Sequence, residues 1–96
     1  MEERKAPETD QVLRQKVLEN FFQDGKLKAM PVKRKKRLIV LEEILKRFEC
    51  GRTYSEKEVN SIITEVFDDY CTVRREMVEA RMLGRNQGGY WRPEAE

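Results

Sequence analysis

The chain has 96 residues, 40% of them charged and 39% hydrophobic, with a formal net charge of +2. That length supports one modest hydrophobic core, and the content of Leu, Ile, Val and Phe is too high for a disordered chain. No apolar run reaches the ~18 residues of a membrane span and residues 1–10 are rich in charge, unlike a secretory leader, so a cytoplasmic protein without a membrane partner is expected.

In chain order, Pro7 and Thr9-Asp10 supply a helix start. Val12, Leu13, Val17, Leu18, Phe21 and Phe22 then recur at helical spacing until Asp24-Gly25 stops the pattern. Residues 26–30 alternate polar and apolar side chains up to Pro31, which reads as a short edge strand. A second helix is expected over 33–48, with Leu38, Leu41, Leu45 and Phe48 on one face and Val40 and Ile44 widening it. After Cys50-Gly51, Arg52-Thr53-Tyr54 has room for a very short strand. Ser55 with Glu58 then forms a capping box for a third helix carrying Val59, Ile62, Ile63, Val66 and Phe67.

Asp68-Asp69 breaks that helix, and either Asp69 or Thr72 caps a fourth running to about Met82, with Val73, Met77 and Val78 inward. Residues 82–85, 86–89 and 90–92 read as strand, glycine-rich turn and strand. Tyr90 and Trp91 alternate across the last strand, so one closes the core and the other is partly exposed. One domain is expected over 10–92, with mobile ends at 1–9 and 93–96. The stripes of Leu41, Leu45, Phe48, Val59, Ile62, Ile63, Val73 and Met77 should bury one another.

Three helices followed by a hairpin is the order of a winged helix, here with an additional N-terminal helix: a mainly α fold with a small β-hairpin, α+β in class. Two stretches sharpen this reading. Thr72-Val73-Arg74-Arg75-Glu76-Met77-Val78, leading to Met82-Leu83-Gly84-Arg85 and Tyr90, resembles the recognition helix and wing of bacterial winged-helix repressors, including the GntR type. That resemblance implies that the threonine starts the recognition helix and that the arginines reach DNA. A longer set of residues is similar to a small bacterial family of domains of unknown function, found alone or fused behind ArsR-type regulators. It runs from Phe21-Phe22 and Gly25-Lys26-Leu27 through Met30-Pro31, the basic run, Gly51-Arg52, Tyr54-Ser55-Glu56-Lys57-Glu58-Val59-Asn60 and Asp69 to Tyr90-Trp91. This resemblance implies the fold and assigns no activity. Arg81 stands where that family more often closes the helix with a small residue or glycine.

Chemistry is narrowed by what is missing. With no histidine, neither a Cys/His zinc site nor a His-based catalytic dyad can form, and no phosphate loop, nucleophile elbow or metal-ligand spacing is present. Glu42-Glu43 and the Glu56/Glu58 pair do not face one another on a helix as a carboxylate dyad would. The reading is a protein that is not an enzyme and needs no cofactor or metal. Cys50 and Cys71 are expected to be reduced, semi-buried thiols.

Positive charge is concentrated in two places. Residues 26–37 hold seven basic and no acidic side chains, and residues 70–92 hold five basic against two acidic. Lys33, Arg34, Lys35, Lys36 and Arg37 fall at the start of the second helix, where the partial positive charge of the helix end opposes them. A solvated, frayed turn would explain them, and so would a phosphate-binding patch. Arg74 and Arg75 sit in the first turn of the fourth helix, from which side chains can reach a major groove. The same arginines could instead pair with Asp68 and Asp69, one of them packing its aliphatic stem over the core. The hairpin offers Arg85, Asn86, Gln87 and Arg92 to a sugar-phosphate backbone, although hairpin tips favour Asn and Gly for conformational reasons alone.

Two functions follow as expectations. One is a DNA-binding module of a transcriptional regulator, which reads duplex DNA through Thr72, Arg74, Arg75 and the wing while the basic run holds flanking phosphate. The other is a winged-helix module for protein interaction or dimerisation, with the first helix as the homodimer contact. The acidic third helix keeps this second reading open, because its outer face must avoid a duplex.

Overall fold

The computed structural model describes the backbone of residues 5–93 and the side chains of residues 11–93. Of the ends expected to be mobile, residues 1–4 and 94–96 lie outside the described residues. The backbone groups into two compact units divided after Val40, and each is taken in turn.

In the first unit, helix α1 (Lys5–Phe21) begins two residues ahead of Pro7, the first of the expected start residues. Pro7 falls in its first turn, where a missing N–H is tolerated. The helix ends at Phe21, because Asp24-Gly25 is a hairpin turn and not merely a helix stop. Asp24 and Gly25 both have positive φ, 55° and 79°. Two consecutive left-handed residues match the twist of antiparallel strands. They join β1 (Phe22–Gln23) to β2 (Lys26–Leu27), pairing Phe22 with Leu27 and Gln23 with Lys26. The strand expected over 26–30 is thus only its first two residues. Val17, Leu27, Ile39 and Val40 are buried, whereas Val12, assigned to the apolar stripe of α1, is 50% exposed.

Helix α2 (Arg34–Leu45) spans the division between the units. It stops short of the expected Phe48, where the chain tightens into i→i+3 bonds from Arg47 N–H to the Ile44 carbonyl and from Phe48 N–H to the Leu45 carbonyl, both 3.0 Å. The inward positions are Val40, Leu41, Ile44 and Phe48, with Leu38 and Leu45 only half-buried.

The second unit continues through β3 (Thr53–Tyr54), α3 (Glu56–Thr64), α4 (Tyr70–Glu79), β4 (Gly84–Asn86) and β5 (Gly89–Trp91). Its sheet is antiparallel in the order β3-β5-β4, pairing Tyr54 with Tyr90 and Gly84 with Trp91. At the start of α3 the capping box forms as expected: the Ser55 hydroxyl accepts from Glu58 N–H at 3.1 Å, and a Glu58 carboxylate oxygen accepts from Ser55 N–H at 2.9 Å. Buried in this unit are Phe48, Tyr54, Val59, Ile63, Val66, Val73, Met77, Leu83 and Tyr90, with Ile62 half-buried. Each full burial of such an aliphatic side chain contributes about 1.5–3 kcal/mol, which is why α3 and α4 pack as a pair.

Helix α4 closes through a Schellman motif. Arg81 adopts φ 64°, its N–H donates to the Val78 carbonyl at 3.0 Å, and Met82 N–H reaches the Met77 carbonyl at 2.8 Å. An arginine therefore holds a left-handed position that glycine fills at lower cost. Met82 and Leu83 belong to this closure and not to the strand, which begins at Gly84.

Among the described residues the fold is mixed α+β, with four helices, a two-stranded hairpin and a three-stranded antiparallel sheet. The order α2, β3, α3, α4, β4, β5 is compatible with a winged helix. No described helix is long and apolar enough to cross a membrane.

Candidate nucleic-acid interface

Helix α4 is started by Asp69, whose carboxylate accepts from Thr72 N–H at 3.3 Å; Thr72 is a half-buried residue of the first turn and not the cap. Val73 and Met77 point inward with no exposed surface. Helical periodicity then sets Cys71, Arg75 and Glu79 on one exposed face, four residues apart.

The two adjacent arginines have different surroundings. Arg74 lies on the flank against α3, where its guanidinium donates to the Asn60 side-chain oxygen and lies 3.7 Å from a Glu56 carboxylate oxygen. Only 18% of its side chain is exposed. Its charge is met by α3 and not by the neighbouring Asp68 and Asp69 considered from sequence. Arg75 is exposed and has no ion-pair partner among the described residues.

Glu56 also connects α3 to the hairpin, because the Tyr90 hydroxyl lies 3.4 Å from its other carboxylate oxygen. Tyr90 is the inward member of the Tyr90/Trp91 pair and Trp91 is half-buried. The Arg85 guanidinium lies 5.6 Å from the centre of the Tyr90 ring, a cation–π contact that leaves the residue exposed. At the tip, the Asn86 side-chain oxygen accepts from Gly88 N–H at 2.7 Å, so its carbonyl group is committed to shaping the turn. Gln87 is exposed beside it.

Arg92 is directed elsewhere. Its guanidinium donates to the Phe48 carbonyl at 3.0 Å and to the Leu45 carbonyl at 3.4 Å. The two carbonyls lie at and just past the end of α2, where a cation complements the helix dipole. A parallel bridge between Cys50 and Arg92 fixes the backbone at the same point. No local pattern could reveal this role, since the partners lie 44 and 47 residues away.

In the first unit, Lys33, Arg34 and Lys35 are exposed, and Lys36 and Arg37 are half-buried. Arg37 donates to the Pro31 carbonyl at 2.9 Å, fixing the turn before α2. The first turn of α2 has no acidic residue. Both cysteines are free, and both are exposed where semi-burial was expected. Among the described residues no group of three or more His, Cys, Asp or Glu side chains could hold a metal ion.

Residues 26–92 match a family described as "Uncharacterized protein conserved in bacteria (DUF2087)". The chain belongs to this family. Within the DUF2087 stretch lie β2 to β5 and every interface residue named above, while α1 and β1 precede it. No curated protein and no solved structure matches the chain.

Proposed function

We propose that this DUF2087 chain is a non-enzymatic DNA-binding module of a bacterial transcriptional regulator, which places α4 in a major groove and the β4–β5 hairpin along the backbone. The observation that carries the reading is the α3–α4 pair followed by a hairpin, with Arg75 exposed on α4 and Arg85 and Gln87 exposed on the wing. The likeness of the stretch from Thr72 to Val78 to GntR-type recognition helices supports it. In this reading Arg75 is the base-contacting residue, and Arg85, Asn86 and Gln87 follow sugar and phosphate. Lys33, Arg34 and Lys35 take flanking phosphate, with Lys36 and Arg37 behind them. Arg74 and Arg92 act as supports, because their guanidinium groups are already bonded within the protein.

The test is fluorescence anisotropy of labelled duplexes across a salt series. Replacing Lys33, Lys35 and Lys36 by Gln should weaken all duplexes alike and flatten the salt dependence by roughly 0.9 per phosphate contact removed. Arg75→Ala should cost about 1–3 kcal/mol on a preferred sequence and far less on random DNA. No duplex binding at low salt sinks the proposal.

A second reading, a protein-interaction or homodimerisation module, is favoured by one observation: Glu56, Glu58, Glu65, Asp68 and Asp69 are all exposed. That surface repels a duplex and suits a basic partner. Light scattering with and without α1 substitutions reads the dimer arm.

A further inference from the structure

A groove of about 450 Å³ opens in the second unit between the end of α2, strand β3 and the outer side of α3. Its volume falls in the range of small-molecule sites, roughly 300–1,000 Å³. The apolar part is made by the buried Tyr54 and the half-buried Ile62. Tyr54 is held firmly: its hydroxyl accepts from Glu49 N–H at 2.8 Å, Phe48 meets its ring edge-on at 5.1 Å, and the Arg52 guanidinium lies 4.6 Å from the ring centre. The ring is thus fixed and only 2% exposed, with a cation over it.

The charges on the rim are unequal. Arg47, Arg52 and Lys57 stand against Glu49 and Glu58. Glu58 has both oxygens engaged, one in the helix cap at 2.9 Å and the other 3.6 Å from Arg52. Lys57 has no ion-pair partner among the described residues. Ser61 adds an exposed hydroxyl on the same side of α3, four residues on from Lys57. Lys57 and Ser61 are turned about 100° from their neighbours Glu56 and Asn60, which hold Arg74 and Tyr90, and the groove is lined by none of the residues of the candidate DNA surface.

We propose that this groove binds a small organic anion, a carboxylate with an aryl or compact apolar body. Lys57 and the guanidinium groups meet the charge, Ser61 donates a hydrogen bond, and Ile62 takes the apolar part beside the rim of Tyr54. Neither the charge nor the apolar body alone fills this arrangement.

The experiment is a titration of the ¹⁵N-labelled full chain followed by two-dimensional NMR, with benzoate as the probe. Benzoate should give saturable shifts at the amides of Tyr54, Lys57, Ser61 and Ile62. Acetate, which has the charge without the ring, and benzyl alcohol, which has the ring without the charge, should each bind about tenfold or more weakly. Lys57→Glu, an exposed change, should weaken benzoate by about tenfold while spectral dispersion is kept. Ser61→Phe should abolish the shifts by filling the groove. Shifts that do not saturate, that spread over the surface, that are absent for both benzoate and naphthoate, or that are equal in the wild type and Lys57→Glu overturn the proposal. The readout uses no DNA, so it stands or falls apart from the proposed function.

Discussion

Gly84 and Trp91 face each other across β4 and β5, and a Cβ on Gly84 would land on the indole ring of Trp91. The ring lies where only a glycine leaves space. Gly84→Ala should therefore displace Trp91 and destabilise the fold by about 1–3 kcal/mol, the usual cost of overpacking. Trp91 is the sole tryptophan, so the displacement should appear as a red shift in emission together with a lower denaturation midpoint. Unchanged emission and stability would contradict the close packing of Gly84 against the indole ring.

Arg81 makes the opposite prediction. Its φ of 64° is costly for a side chain with a Cβ, and Arg81→Gly should stabilise the chain by about 0.5–1 kcal/mol after allowing for the greater freedom of glycine when unfolded. Arg81→Val should destabilise by more than that, because a β-branched residue fits this region worst. Urea unfolding of the three proteins gives the order directly.

The Ser55 cap can be isolated by chemistry. Ser55→Ala removes the acceptor for Glu58 N–H and should cost about 1 kcal/mol, whereas Ser55→Asp keeps an acceptor and should cost far less. Equal losses in the two variants would place the effect outside the cap.

The arginines separate by stability before any ligand is added. Arg74→Ala leaves the Asn60 oxygen without its donor and should cost about 1–2 kcal/mol, and Arg75→Ala should stay within about 0.5 kcal/mol. Arg92→Met, which keeps the stem and removes the donors to Leu45 and Phe48, should resemble Arg74→Ala. Thermal melts that rank Arg75 as the most damaging site would reverse the roles assigned to the pair.

What the sequence by itself determined is short in range. The Ser55/Glu58 box, the inward Val59, Ile63, Val73 and Met77, the hairpin after α4 and the membership of residues 26–92 in a bacterial family all follow from patterns within a few residues or along one contiguous stretch. The Asp24-Gly25 turn was equally local, yet the same dipeptide can end a helix or reverse a hairpin, and only the pairing of Phe22 with Leu27 chose between them. Tertiary structure alone decided the fates of the arginines. Adjacent residues on a helix point about 100° apart, so Arg74 and Arg75 could not both face α3, and which one does depends on where Asn60, 14 residues earlier, comes to rest. Arg92 reads as a wing cation until the sheet carries it to the end of α2, where the Phe48 and Leu45 carbonyls accept from its guanidinium.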